Sequence, residues 1–360
     1  MYVQIDVVGG FTAAAGACLY NGGAWPERFN NTFFVSEPTV SLVHQDVLTP
    51  KGASYVASKD PAQAESEFIA GTDLWFRPIH TRVGPDGALY VIDFYNQAAI
   101  HNDTRGPKHG ANNAATRPDR DHHFGRIWRV QHKEAKPLPP WKFDTNNLES
   151  LVTMLEHPNG WVRGTAERLL LENGQAMPPP SLQKLASNRQ SPEYARVQAL
   201  WAMRGMLNNW GRKRLPDPSL AMMTLKEAIE DTSPAVRKNA LRILDEDQKQ
   251  MFSESAENRF RPSVLADLKD TDARVRLQAL VTLGAFTPND EIAQAVVAVW
   301  PSLEDKYLES AAVGVAAKEP VKFIEAALAK NSGAAHEGFA IRFFQGYYSG
   351  QQITEISIDA

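Results

Sequence analysis

The chain has 360 residues, 43% hydrophobic and 22% charged, an ordinary globular composition with room for two domains. It contains no run of about 18 apolar residues, which excludes a helical membrane span. A net charge of −4 gives no general attraction for nucleic acid, and the short basic run Gly211-Arg212-Lys213-Arg214 reads as a solvated loop.

Cys18 is the only cysteine, so these residues hold no internal disulfide, no cysteine-rich zinc site and no Cys-x-x-Cys-His haem attachment. Met1 to Asp6 lacks the basic start and apolar core of a secretion signal. Phe11 to Tyr20 reads as an inner strand, and Thr32 to Val35 as a short buried strand closed by Ser36-Glu37-Pro38-Thr39. Leu42 to Leu48 and Ala53 to Ala57 supply outer strands.

Asp73 to Asn96 is the most informative stretch. It reads as a strand, a Gly84-Pro85-Asp86-Gly87 turn and a second strand rich in β-branched and aromatic residues, the inner hairpin of a β-propeller blade. The start of the first strand and the end of the second lie at one end of such a hairpin. Arg77, His80, Asp93 and Asn96 are therefore expected on one rim, with Glu37 brought to the same rim by the preceding hairpin. This gives about two blades, too few to close a ring, so the chain is expected to begin inside a propeller whose earlier blades are missing.

The polar stretch from Asp93 to Gly125 is too long for an idle loop, and its His, Asn and Asp residues suggest an ordered network. Phe124 to Val130 alternates again and closes the β part. Lys136-Pro137-Leu138-Pro139-Pro140 is an extended connector, after which Leu148, Leu151, Val152 and Leu155 mark a helix face. Val162-Arg163, Ala195-Arg196, Val236-Arg237 and Val275-Arg276 then recur at spacings of 33, 41 and 39 residues, periods that match HEAT or armadillo helix pairs. Ser191-Pro192 and Ser233-Pro234 are expected to cap the second helices. Each recurring arginine is expected to pair with an acidic residue such as Asp231 or Asp270. A fifth unit is expected over Ile292 to Ala317, a further helix over Val321 to Ala329, and an aromatic end cap over Phe339 to Tyr348. The fold class is thus α+β multidomain: an incomplete β-propeller over 1–135, a Pro-rich linker over 136–146, an α-solenoid over 147–350 and a tail over 351–360.

Trp75-Phe76-Arg77-Pro78, Gly84 to Val91, Arg117-Pro118-Asp119-Arg120-Asp121-His122 and Gly125 to Val130 resemble the large membrane-bound-type dehydrogenases of planctomycetes and verrucomicrobia. These are similar to the sorbosone and soluble glucose dehydrogenase propellers. The resemblance implies an export signal and hence a periplasmic setting, a six-bladed propeller, HEAT-like repeats and a C-terminal c-type haem domain. It covers nearly the whole chain as the middle of that plan, with the haem domain absent. It also implies pyrroloquinoline quinone on the rim, with Arg77 and Glu37 as contacts, although the lysine expected after the preceding blade's second strand is replaced near Thr39. The function implied is a fragment of an exported oxidoreductase acting on a sugar or alcohol, incomplete alone.

Such chemistry needs a base and a cation. His80 or His101 is the candidate base, Arg77 the cation and Asp93 the orienting carboxylate; the alternative is a buried Arg77–Asp93 ion pair tying blades together. Of His122 and His123, adjacent residues facing opposite ways, at most one can look into the site. Asp93, Asn96, Asp103, Asp119 and Asp121 form a candidate calcium set, without the spacing of a compact calcium loop. The non-enzyme alternative is a protein-interaction scaffold on the solenoid, with Trp161, Trp201 or Trp210 as anchors.

Overall fold

The computed structural model describes residues 11, 13–96, 123–173, 178–209, 218–251, 254–329 and 339. The chain forms two compact units. One comprises Met1–Thr49, Val56–Lys142 and His157–Thr165; the other comprises Pro50–Tyr55, Phe143–Glu156 and Ala166–Ala360. The break after Lys142 falls inside the expected linker at 136–146. Each unit also draws a short segment from beyond that break, which composition along the chain does not signal.

The first unit holds two antiparallel sheets. One has β1 (Ala17–Leu19), β2 (Thr32–Glu37), β3 (Leu42–Lys51) and β4 (Ser54–Lys59) in chain order, with β5 (Ile69–Ala70) on β3. The other is β6 (Pro78–Val83), β7 (Leu89–Asp93) and β8 (Arg126–Val130). The described strands close no barrel or ring. Alternation buries Leu89, Val91 and Asp93 on one face of β7, and this face joins Tyr20, Trp25, Phe34 and Val43 in a common core. The opposite face of that sheet leaves Ile79, Ile92 and Ile127 exposed at 37%, 38% and 71%.

The β6–β7 turn is fixed locally and from outside. Gly87 sits at φ +75, a conformation that favours glycine, and the Asp86 carboxylate accepts from the Ala88 N–H at 3.1 Å. Burial raises the Asp86 pKa, but the Arg129 guanidinium at 2.6 Å and the backbone donors outweigh it, leaving the carboxyl below its usual range. The Tyr20 hydroxyl donates to the Gly87 carbonyl at 2.8 Å, and burial pushes its pKa up to about 12. Asn159 Nδ2 clasps the Gly84 and Pro85 carbonyls at 2.9 and 3.0 Å.

The helices are α1 (Leu148–Met154), α2 (Gly160–Glu172), α3 (Pro180–Ser187), α4 (Glu193–Asn209), α5 (Pro218–Ile229) and α6 (Pro234–Met251). Then come α7 (Glu254–Ala266), α8 (Ala273–Ala285), α9 (Asp290–Val299), α10 (Lys306–Ala316) and α11 (Pro320–Ala329). Proline opens α3, α5, α6 and α11, where its missing N–H costs nothing. In the second unit odd helices pack on odd ones (α1 on α3, α3 on α5, α5 on α7, α9 on α11) and even on even (α4 on α6, α6 on α8, α8 on α10). One apolar core runs between these layers from Leu148 to Phe323 and takes in Phe339.

Two of the four recurring arginines pair forward by one repeat. Arg196 Nη1 meets Asp231 at 3.1 Å with both side chains buried, and Arg237 grips Asp270 with Nε and Nη2 at 2.7 and 2.9 Å. The guanidiniums also hold the turn behind them: Arg163, Arg237 and Arg276 each donate Nη1 to the carbonyl six residues back. The serines behave differently from the expected caps. Ser191 Oγ donates to Glu156 and Ser233 Oγ to Glu193, at 2.7 and 2.5 Å, because carboxylates of the preceding repeat lie within reach. Of the expected end cap only Phe339 lies within the described residues, buried with its ring 4.9 Å from Trp300.

Candidate functional site

The candidate site is the end of the β6–β7 hairpin, where Pro78 lies opposite Asp93. Asp93 is 1% exposed. Its Oδ1 accepts from the Arg77 and Tyr95 backbone N–H groups at 2.8 and 2.9 Å. Its Oδ2 accepts from Arg126 Nε and Trp128 Nε1, each at 3.0 Å. Both oxygens are thus committed, and the ion-pair partner is Arg126. The Tyr95 bond also holds that residue at φ +44, strained for a tyrosine.

Glu37, fully buried at the end of β2, repeats this arrangement: its carboxylate accepts from the Thr39 N–H at 3.0 Å and the Ala13 N–H at 2.9 Å. Each carboxylate therefore takes the amide two residues ahead and an amide of the segment leading into the hairpin's first strand. Neither projects into open space.

Arg77 donates Nη1 to the carbonyls of Pro38 and Thr39 and to Ser41 Oγ, at 3.0, 3.2 and 2.8 Å. Burial pulls its pKa below the ordinary value, with Asp93 and Asp73 acting the other way. The guanidinium braces the β2–β3 turn, while Arg77 meets Asp93 through its backbone amide. Asn96 is buried at the same end, its N–H on the Trp75 carbonyl at 3.1 Å.

His80 lies near the same end of the hairpin, opposite Ile92, but on the other face of the sheet. A bulge between Pro78 and His80 advances the register by one, pairing His80 with Ile92 and Thr81 with Val91. One residue of slip moves a side chain to the other face of a sheet. His80 therefore lies on the face away from Asp93, where its Nε2 accepts from Arg82 Nε at 2.8 Å. His101, Asp103, Asp119, Asp121 and His122 lie outside the described residues.

Arg126 and Trp128 were not singled out by sequence reasoning. Arg126 stacks 3.5 Å from the Tyr95 ring centroid and 4.8 Å from that of Trp128, and reaches Asp73 at 3.2 Å. The usable signal is alternation: Arg126 and Trp128 occupy the β8 positions paired with Asp93 and Val91, the buried face of β7.

These geometries decide the fit of the implied groups. A quinone cradle requires cations and polar groups with bonding capacity left over, whereas Arg77, Glu37 and Asp93 are bound into strand ends. The described residues do not fit pyrroloquinoline quinone. Calcium requires six to eight oxygens around one point; Asp93 presents both of its oxygens to N–H donors. Among the described residues no cluster of three His, Cys, Asp or Glu side chains could hold a metal. No described helix is long and apolar enough to cross a membrane.

Fold and site together define an α+β chain of two antiparallel sheets and layered helix pairs, with structural carboxylates at the hairpin ends. Residues 1–134 match a family model described as a domain of unknown function, DUF7133. No curated protein matches the chain. Two crystal structures of engineered proteins from the Northeast Structural Genomics Consortium are similar at 17% identity and a TM-score of 0.34. They cover 57% and 58% of this chain and 100% and 99% of their own.

Proposed function

We propose that the chain is a two-bladed sector of a β-propeller followed by a HEAT-like solenoid, belonging to an exported dehydrogenase-like oxidoreductase of sugars or alcohols. In this reading the described residues alone do not make up a complete catalytic site. The observation that carries the reading is the repeated carboxylate at Glu37 and Asp93, one device used twice at equivalent hairpin ends. Repetition of that kind is what a ring of similar blades requires. The half-exposed isoleucines on the outer face of β6–β8 support the presence of a neighbouring blade in the intact protein. Alternate layering of odd and even helices supports the solenoid.

In this reading Asp93, Glu37 and Arg77 fix the strand ends from which rim loops depart. The base and the cofactor contacts would then come from other blades or from the segment holding His101, and a haem module would accept the electrons. Reading the coding DNA on both sides of Met1 and Ala360 tests the proposal. Further blade repeats upstream and a Cys-x-x-Cys-His downstream, both in frame, are the expected result. If neither flank continues the plan, the oxidoreductase reading fails.

A further inference from the structure

The helical unit carries a groove that the proposed oxidoreductase role does not use. It has a volume of about 430 Å³ and crosses three successive even helices, with Glu167 on α2, Glu193, Tyr194, Gln198 and Trp201 on α4, and Asn239 on α6. No lysine or arginine is among its lining residues. We propose that it docks an extended basic segment of a partner protein, one lysine or arginine of which meets Glu167 and Glu193 while its stem lies on Tyr194 and Trp201.

Charge and shape both select this occupant. Glu167 is held by Gln198 Nε2 at 2.6 Å through a single oxygen, and Glu193 by Ser233 Oγ at 2.5 Å through a single oxygen. Each carboxylate thus keeps one oxygen beyond these bonds, and an incoming cation offers the donors. Burial raises the Glu167 pKa, with the Gln198 hydrogen bond acting the other way. Arg204 and Arg242 flank the Trp201 ring, but both pair with Glu246. Trp201 itself is fixed by its indole N–H on Asn239 at 2.9 Å, presenting a rigid aromatic wall suited to an alkyl-ammonium stem. Packed helices lie about 8–10 Å apart, roughly three residues of extended chain. A strand-like segment can therefore address each helix in turn.

The test uses the full chain and a fluorescein-labelled peptide of alternating glycine and lysine, read by anisotropy. The same peptide with every lysine acetylated, the free polyamine spermidine, and the variants Glu167→Gln/Glu193→Gln and Glu149→Gln complete the set. The lysine peptide is expected to bind. Acetylation or the double variant should weaken it at least about tenfold, with melting unchanged, and Glu149→Gln on the exposed side of α1 should have no effect. Absence of binding at about 1 mM peptide, equal weakening by Glu149→Gln, or spermidine binding as tightly as the peptide would each overturn the proposal. None of these results depends on whether the parent is an oxidoreductase.

Discussion

At the scale of single residues, Asp93 combines burial with four donors, and that combination assigns it to structure. Asp93→Asn removes the charge partner of Arg126 and sets an amide N–H₂ against two donors, a loss of about 2 kcal/mol given that Arg126 is partly exposed. A lowered melting temperature checks it; an unchanged one would mean that the carboxylate does not anchor the hairpin end. Asp267 is the second informative carboxyl. Burial and the nearby charges of Asp270 and Glu230, opposed by Arg237, push its pKa up to about 7. Its folded value lies above the unfolded one, so the stability it contributes is full below about pH 4 and falls as pH rises towards 7. Asp267→Asn should therefore gain stability over wild type at pH 8, by about 1–2 kcal/mol after discounting for partial exposure, and little at pH 4. Melting curves at the two pH values decide, and an equal difference at both would contradict the assignment.

What could be read from the sequence at this scale followed local rules. The Gly-Pro-Asp-Gly turn, the juxtaposition of Arg77 with Asp93 and the arginine–aspartate pairing depend on spacing within one or two elements. The side of the sheet that His80 occupies depends on a bulge, which leaves no mark in the alternation of Ile79, His80 and Thr81. The role of Arg126 depends on strand pairing across more than thirty residues, and that separation hides the register.

At the scale of elements, the arginine ladder is the device that ties one repeat to the next. Arg196 and Asp231 are both buried, so removing either strands a charge. Arg196→Met or Asp231→Leu alone should cost about 3 kcal/mol. The double variant should cost clearly less than the sum, and urea unfolding of all four proteins measures the coupling; strict additivity would dissolve the ladder. The β6–β7 turn is equally specific. At Gly87 an added Cβ would lie 2.5 Å from the Ala24 Cβ, on a backbone with φ +75. Gly87→Ala should lose more than about 2 kcal/mol in the same unfolding assay, whereas a cost below about 0.5 kcal/mol would mean that the turn relaxes.

For the whole molecule, the succession of helices was legible because neighbouring helices are joined by short-range contacts, and periodic arginines and prolines mark them. The composition of the two units was less so. Pro50–Tyr55 and His157–Thr165 cluster with sequence-distant partners, and nothing in their local character announces it. The central claim concerns the β unit, which we propose is a sector whose outer sheet face takes a neighbour. An uncovered face of Ile79, Ile92 and Ile127 should drive association between copies of the isolated chain. Sedimentation velocity over a concentration series is the direct measurement. The account predicts concentration-dependent association that Ile92→Lys/Ile127→Lys abolishes without lowering the melting temperature; a wild-type chain that stays monomeric at every concentration would contradict it.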